Sequence, residues 1–118
     1  MSNSLFAVAF DCADAAALAR FWAEALGRQV AEGSTSERAV LLARDGDTSG
    51  PRITFNQVPE PKTVKNRLHF DLVSDTFDAE TERLLSLGAQ RLRDLRRGKV
   101  RWTTLADIEG NEFDLIAG

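Results

Sequence analysis

Hydrophobic and polar residues along this chain follow two alternating periods. An apolar stretch, "LFAVAF" at 5–10, is followed by Leu18, Phe21, Trp22 and Ala25 at i, i+3, i+4 and i+7, the stripe of an amphipathic helix that must bury one face. Asp14 is placed to accept a hydrogen bond from the helix's first free N–H groups, and Gly27 suits the left-handed position that ends it. The period then drops to two in "RQVAEG", "ERAVLLAR" and "RITFNQV", which predict strands, with a turn at "DGDTSG" (45–50).

The same order then repeats. "FDLVSD" at 70–75 leads into a second helical stretch with Phe77, Thr81, Leu84 and Leu85 on one face, Asp75 as its N-cap and Gly88 as its stop. Asp75 and Gly88 each stand 61 residues after Asp14 and Gly27, about half the chain, which indicates two copies of one supersecondary unit. "AQRLRDL", "KVRWTTLAD" and "EFDLIA" complete the second copy. Each copy reads βαβββ, the first over about 4–58 and the second over about 67–117. The Pro- and Lys-rich 59–66 joins them within a single domain, 1–118. The fold class is α+β.

Strand parity then singles out residues. Leu68, Phe70 and Leu72 alternate with Arg67, His69 and Asp71; Ile53 and Phe55 with Thr54 and Asn56; Phe113 and Leu115 with Glu112 and Asp114. The apolar rows are expected to meet the helices. The polar rows either converge on a shared hollow or face bulk water, and alternation fits both.

Composition narrows the partners. With 118 residues, 43% hydrophobic and 28% charged, the chain suits one domain with its own core. A net charge of -3 argues against nucleic acid or an anionic membrane surface, so the expected partners are a small molecule and a second copy of the chain. The one cysteine, Cys12, has no internal disulfide partner, and "MSNSLFAVAF" lacks the basic start and long apolar core of a signal peptide. No apolar run approaches the ~20 residues of a membrane span; a reducing cytoplasm is the expected location.

Among reactive groups, His69 is the only histidine, and its intrinsic chemistry suits either ligation or base work. Arg91, Arg93, Arg96, Arg97, Lys99 and Arg101 crowd a hairpin expected around Gly98. They read as a solvated edge that discourages strand pairing, with capture of an anionic substrate as the alternative. Trp22 belongs to the core stripe; Trp102 is a candidate pocket wall, its face undecided. Cys12 reads as a buried, inert thiol. No Gly-rich phosphate loop or paired-cysteine metal signature occurs.

The duplicated unit, the helix "ADAAALARFWAEALG", the segment "KNRLHFDL" and the closing "DIEGNEFDLI" resemble the vicinal oxygen chelate superfamily, which includes glyoxalase I, extradiol dioxygenases and bleomycin-resistance proteins. The likeness spans the chain and is greatest to the small bacterial glyoxalase-like domains. It implies an eight-stranded, cup-shaped mixed sheet with helices outside, a homodimer, and a divalent metal in a concave pocket. The metal positions carried over fall on Ala7, on Thr54 or Asn56, on His69 and on Asp114. His69 and Asp114 are good ligands and the catalytic candidates; Ala7 offers no donor, so the implied site is incomplete. Arg67, Asp71, Thr54, Asn56, Trp102 and Glu112 are the candidate ligand-binding residues. The resemblance implies a metal-assisted lyase, isomerase or dioxygenase; a metal-free, drug-sequestering binding protein is the alternative.

Overall fold

The computed structural model describes residues 2–43 and 50–118, so most of the turn expected at 45–50 lies outside the described residues. The chain forms two compact units, Met1–Pro61 and Lys62–Gly118, divided inside the Pro- and Lys-rich stretch.

The first unit runs β1 (Ala7–Cys12), α1 (Ala15–Leu26), β2 (Arg38–Leu41) and β3 (Arg52–Gln57), in the sheet order β1-β3-β2. β1 pairs parallel with β3, and β2 pairs antiparallel with β3. α1 forms as its stripe predicts: Leu18, Phe21, Trp22 and Ala25 are all buried against β2 and β3. Asp14 caps it by accepting from the Ala17 N–H at 3.1 Å, and Gly27, at φ 66, closes it with its N–H on the Ala23 carbonyl. Phe10 links strand to helix, stacked 5.5 Å from Phe55 and 5.9 Å from Trp22. Cys12 is buried, with its thiol 3.5 Å from the Asn56 carbonyl. The expected strand "RQVAEG" is reduced to a single bridge, Val30 to Leu41. Seven strands rather than eight are therefore present among the described residues, in sheets of three and four.

The second unit runs β4 (Asp71–Ser74), α2 (Phe77–Ser86), β5 (Gln90–Arg97), β6 (Val100–Ala106) and β7 (Glu112–Ala117), in the order β4-β7-β6-β5. The order echoes the first unit, since the opening strand again pairs parallel with the closing one. α2 packs on β4 and β7, burying Thr81 and Leu84 near Phe113 and Leu115. β5 and β6 form the hairpin expected around Gly98, whose φ of 60 the two-residue turn requires.

Two local expectations are corrected. Asp75 does not cap α2: Thr76 holds that position and makes no side-chain cap bond, while the Thr76 N–H is taken by Ser74 Oγ at 3.0 Å. Leu68 does not meet a helix, being 65% exposed. The strand begins only at Asp71, so the alternation seen in the sequence cannot carry back through the bend at 67–68. Gly88 does follow the helix, at φ +114, and an added Cβ would sit 2.9 Å from Ile108, so space and backbone both demand glycine there. Among the described residues, no helix is long and apolar enough to cross a membrane.

Candidate functional site

Register builds the site. Parallel pairing sets Asp71 of β4 beside Asp114 of β7, and antiparallel pairing sets Thr104 of β6 on the other side of Asp114. Side chains alternate across a strand, so these three form one row, turned away from the buried Phe113 and Leu115 that back α2. His69 precedes β4 by two residues and lies with its Nδ1 3.1 Å from Asp71 Oδ1. One ligand atom each from His69, Asp71 and Asp114 falls within 4.8 Å of the others. Thr104 Oγ1 donates to Asp114 Oδ1 at 2.6 Å and is itself 5% exposed, so the carboxylate is held by a hydroxyl that has nowhere else to go.

This donor set suits a divalent cation. Atoms bound to one tetrahedral ion at about 2.0–2.2 Å stand about 3.3–3.6 Å apart, so donor atoms spread over up to 4.8 Å need side-chain rotations that draw them in by about 1 Å. An imidazole with two carboxylates is a borderline-to-hard set of the kind that takes Zn, Mn or Fe. The His69 and Asp71 side chains are 37% and 55% exposed, which leaves them open to an incoming molecule.

The remaining candidates divide. Glu112 shares the row but is engaged: it accepts from the Asn66 N–H at 3.1 Å and from Lys62 Nζ at 3.3 Å. Burial pushes its carboxyl up, yet the Asn66 and Glu112 N–H groups and Lys62 outweigh this and hold it below the ordinary range. It acts as a clasp for the segment entering β4. Arg67 is exposed and outside the cluster. Trp102 is half-buried and stands opposite Ile116, two positions along β6 from Thr104 and in its row. In the first unit, Thr54 pairs with Ala9 and Val40, and Asn56 with Asp11 and Arg38. They line the face opposite the buried Ile53 and Phe55; Ala7 lies opposite Arg52 on that same face.

Three residues that support this row escape a reading of the sequence alone. Thr104 carries no signal, since only the β6–β7 register brings it to Asp114. Asp107 and Asn111 build the turn before β7: buried Asp107 Oδ1 accepts from the Glu109 N–H at 2.9 Å and the Asn111 N–H at 3.0 Å. The acidic and amide residues of "DIEGNEFD" were the available clue.

Comparison with known proteins agrees with this architecture. A glyoxalase/bleomycin resistance protein/dioxygenase family enzyme from Burkholderia phytofirmans PsJN is 20% identical, with 98% of each chain covered and a TM-score of 0.76. The genomically encoded fosfomycin resistance protein FosX from Listeria monocytogenes is 19% identical over 100% of this chain and 95% of that one, at 0.75. A mutant of that FosX complexed with Mn(II) and 1S,2S-dihydroxypropylphosphonic acid is 18% identical over 100% and 91%, at 0.76. At such identities the likeness is one of fold. No curated protein matches the sequence significantly. The family model described as a glyoxalase-like domain matches residues 7–116, and the chain belongs to that glyoxalase-like family.

Proposed function

We propose that this protein is a metal-assisted enzyme of the lyase, isomerase or dioxygenase kind, acting on a small organic molecule with neighbouring oxygens at the open row of β4, β7 and β6. The observation that carries this reading is the convergence of His69, Asp71 and Asp114 donor atoms within 4.8 Å. Those three residues would hold the ion. The chemistry a divalent ion supplies in such a place is Lewis-acid stabilisation of negative charge on vicinal oxygens. The chain's own residues do the rest. Asp71, in contact with the ring at 3.1 Å, sets the direction of the His69 imidazole. Thr104 occupies Asp114 Oδ1 and leaves Oδ2 to face a ligand. Trp102 offers an apolar wall two positions along the row. Mn(II) in the structurally similar FosX supports the choice of ion.

Exposed Leu68 and Val73, at 65% and 71%, support a homodimer, to be checked by sedimentation. The lone, buried thiol of Cys12 suits the cytoplasm. A second reading, a metal-free binding protein, is favoured by Ala7, whose methyl group cannot ligate. Calorimetric titration of metal-stripped protein with Mn(II) and Zn(II) separates the two. The enzyme reading expects one site per chain, lost in His69→Ala and weakened at least tenfold in Asp114→Asn. Binding of neither ion by the wild type would leave only the second reading.

A further inference from the structure

The arginine-rich hairpin does more than border a sheet. In its register Arg96 stands directly opposite Arg101, and Asp94 opposite Thr103, so Asp94, Arg96 and Arg101 share one face. That face is the one turned to α2, because the Arg101 guanidinium sits 4.5 Å from the Phe77 ring centre and 3.6 Å from Asp78 Oδ1. Phe77 and Asp78 open that helix. Between hairpin and helix lies a cavity of about 280 Å³, bordered by Phe77, Asp78, Arg91, Asp94, Arg96 and Arg101, with Leu95 and Trp102 of the hairpin also at its edge, close to the lower bound of small-ligand pockets.

The charges around this cavity are poorly matched among themselves. Like charges directly opposite on paired strands repel, and Arg96 and Arg101 are so placed. Arg91 and Arg101 reach their aspartates only at 3.8 and 3.6 Å, too far for hydrogen bonds. Among the described residues none of the three guanidiniums donates a hydrogen bond, and Arg96 has no ion pair. Each fork carries five N–H donors. At the same end, Thr76 gives α2 no side-chain cap, so first-turn N–H groups are open as well. Phe77 stacks on Arg101 and holds its fork in place.

We propose that this cavity binds a small oxyanion, a phosphate, phosphonate or carboxylate, at a site distinct from the His69–Asp71–Asp114 cluster on the other face of the sheet. Arg96 and Arg101 grip the oxygens, and bound negative charge relieves their mutual repulsion. Three guanidiniums against two carboxylates leave one net positive charge, which suits one small anion and not a polyanion.

The test is a titration of the full-length protein with inorganic phosphate and, separately, benzoate, followed by NMR of backbone amides and arginine Nε–H groups at constant ionic strength. Saturable shifts centred on Phe77, Asp78, Arg96 and Arg101 are expected, and the tighter of the two probes identifies the phosphate or carboxylate class. Arg96→Gln and Arg101→Gln should each weaken binding about tenfold or more. Arg97→Gln, one residue further along β5, should change it less than about twofold, and Asp94→Asn should tighten it. His69→Ala should leave oxyanion binding intact, which separates failure here from failure of the metal reading. Shifts reproduced by chloride, unchanged in Arg96→Gln, or following protein concentration alone would overturn the site.

Discussion

Thr104 is the residue on which the geometry of the cluster turns. Its hydroxyl is buried and 2.6 Å from Asp114 Oδ1, so it fixes one oxygen of the least exposed residue of the cluster. Groups that orient metal ligands are typically worth 10–100-fold in affinity. Thr104→Val keeps the shape and removes the donor; Mn(II) affinity is expected to fall by about that factor with an unchanged circular dichroism spectrum. Glu112, its neighbour in the row, has a different task, tying Lys62 and Asn66 to the start of β7.

The two helices are built from matching punctuation, yet it is realised differently in each. α1 has a side-chain cap in Asp14, whereas α2 begins at Thr76 with none. Asp14→Ala should cost about 1 kcal/mol in urea unfolding. Asp75→Ala should lie within about 0.5 kcal/mol of wild type, and an equal loss in both variants would show the caps to be equivalent after all. The strands differ in a related way. β5 is an edge strand exposed at seven of its eight residues, and its arginines guard it against further pairing while Arg91 and Arg96 also border the cavity by α2.

For the molecule as a whole, acid is the condition that tests the clasp. Burial raises the Glu112 carboxyl, but hydrogen bonds from Asn66 and its own N–H, with Lys62, bring it below the ordinary range. A carboxylate depressed on folding adds stability above its unfolded value, near pH 4.3, and loses it as pH falls through the folded value. Wild type should therefore exceed Glu112→Gln in stability at pH 7, the gap closing below about pH 4.3 in denaturant unfolding followed across pH. A gap that stays constant down to pH 3 would assign Glu112 no ionic part in stability.

Much was already determined by the sequence. The stripe Leu18, Phe21, Trp22 and Ala25 specifies α1, because helical spacing admits one buried face, and the 61-residue echo from Gly27 to Gly88 specifies duplication. Alternation also marks Asp71 and Asp114 as one kind of residue on two strands. What it cannot express is which strands are neighbours: that β7 lies between β4 and β6, and so puts Asp114 between Asp71 and Thr104, is a property of pairing between distant segments. The same holds for Leu68, whose exposure follows from a bend that periodicity does not register, and for Arg96 facing Arg101, where the hairpin register turns a charge run into a lined cavity. Local propensity acts over a few residues, whereas register and burial are settled only when the whole sheet forms.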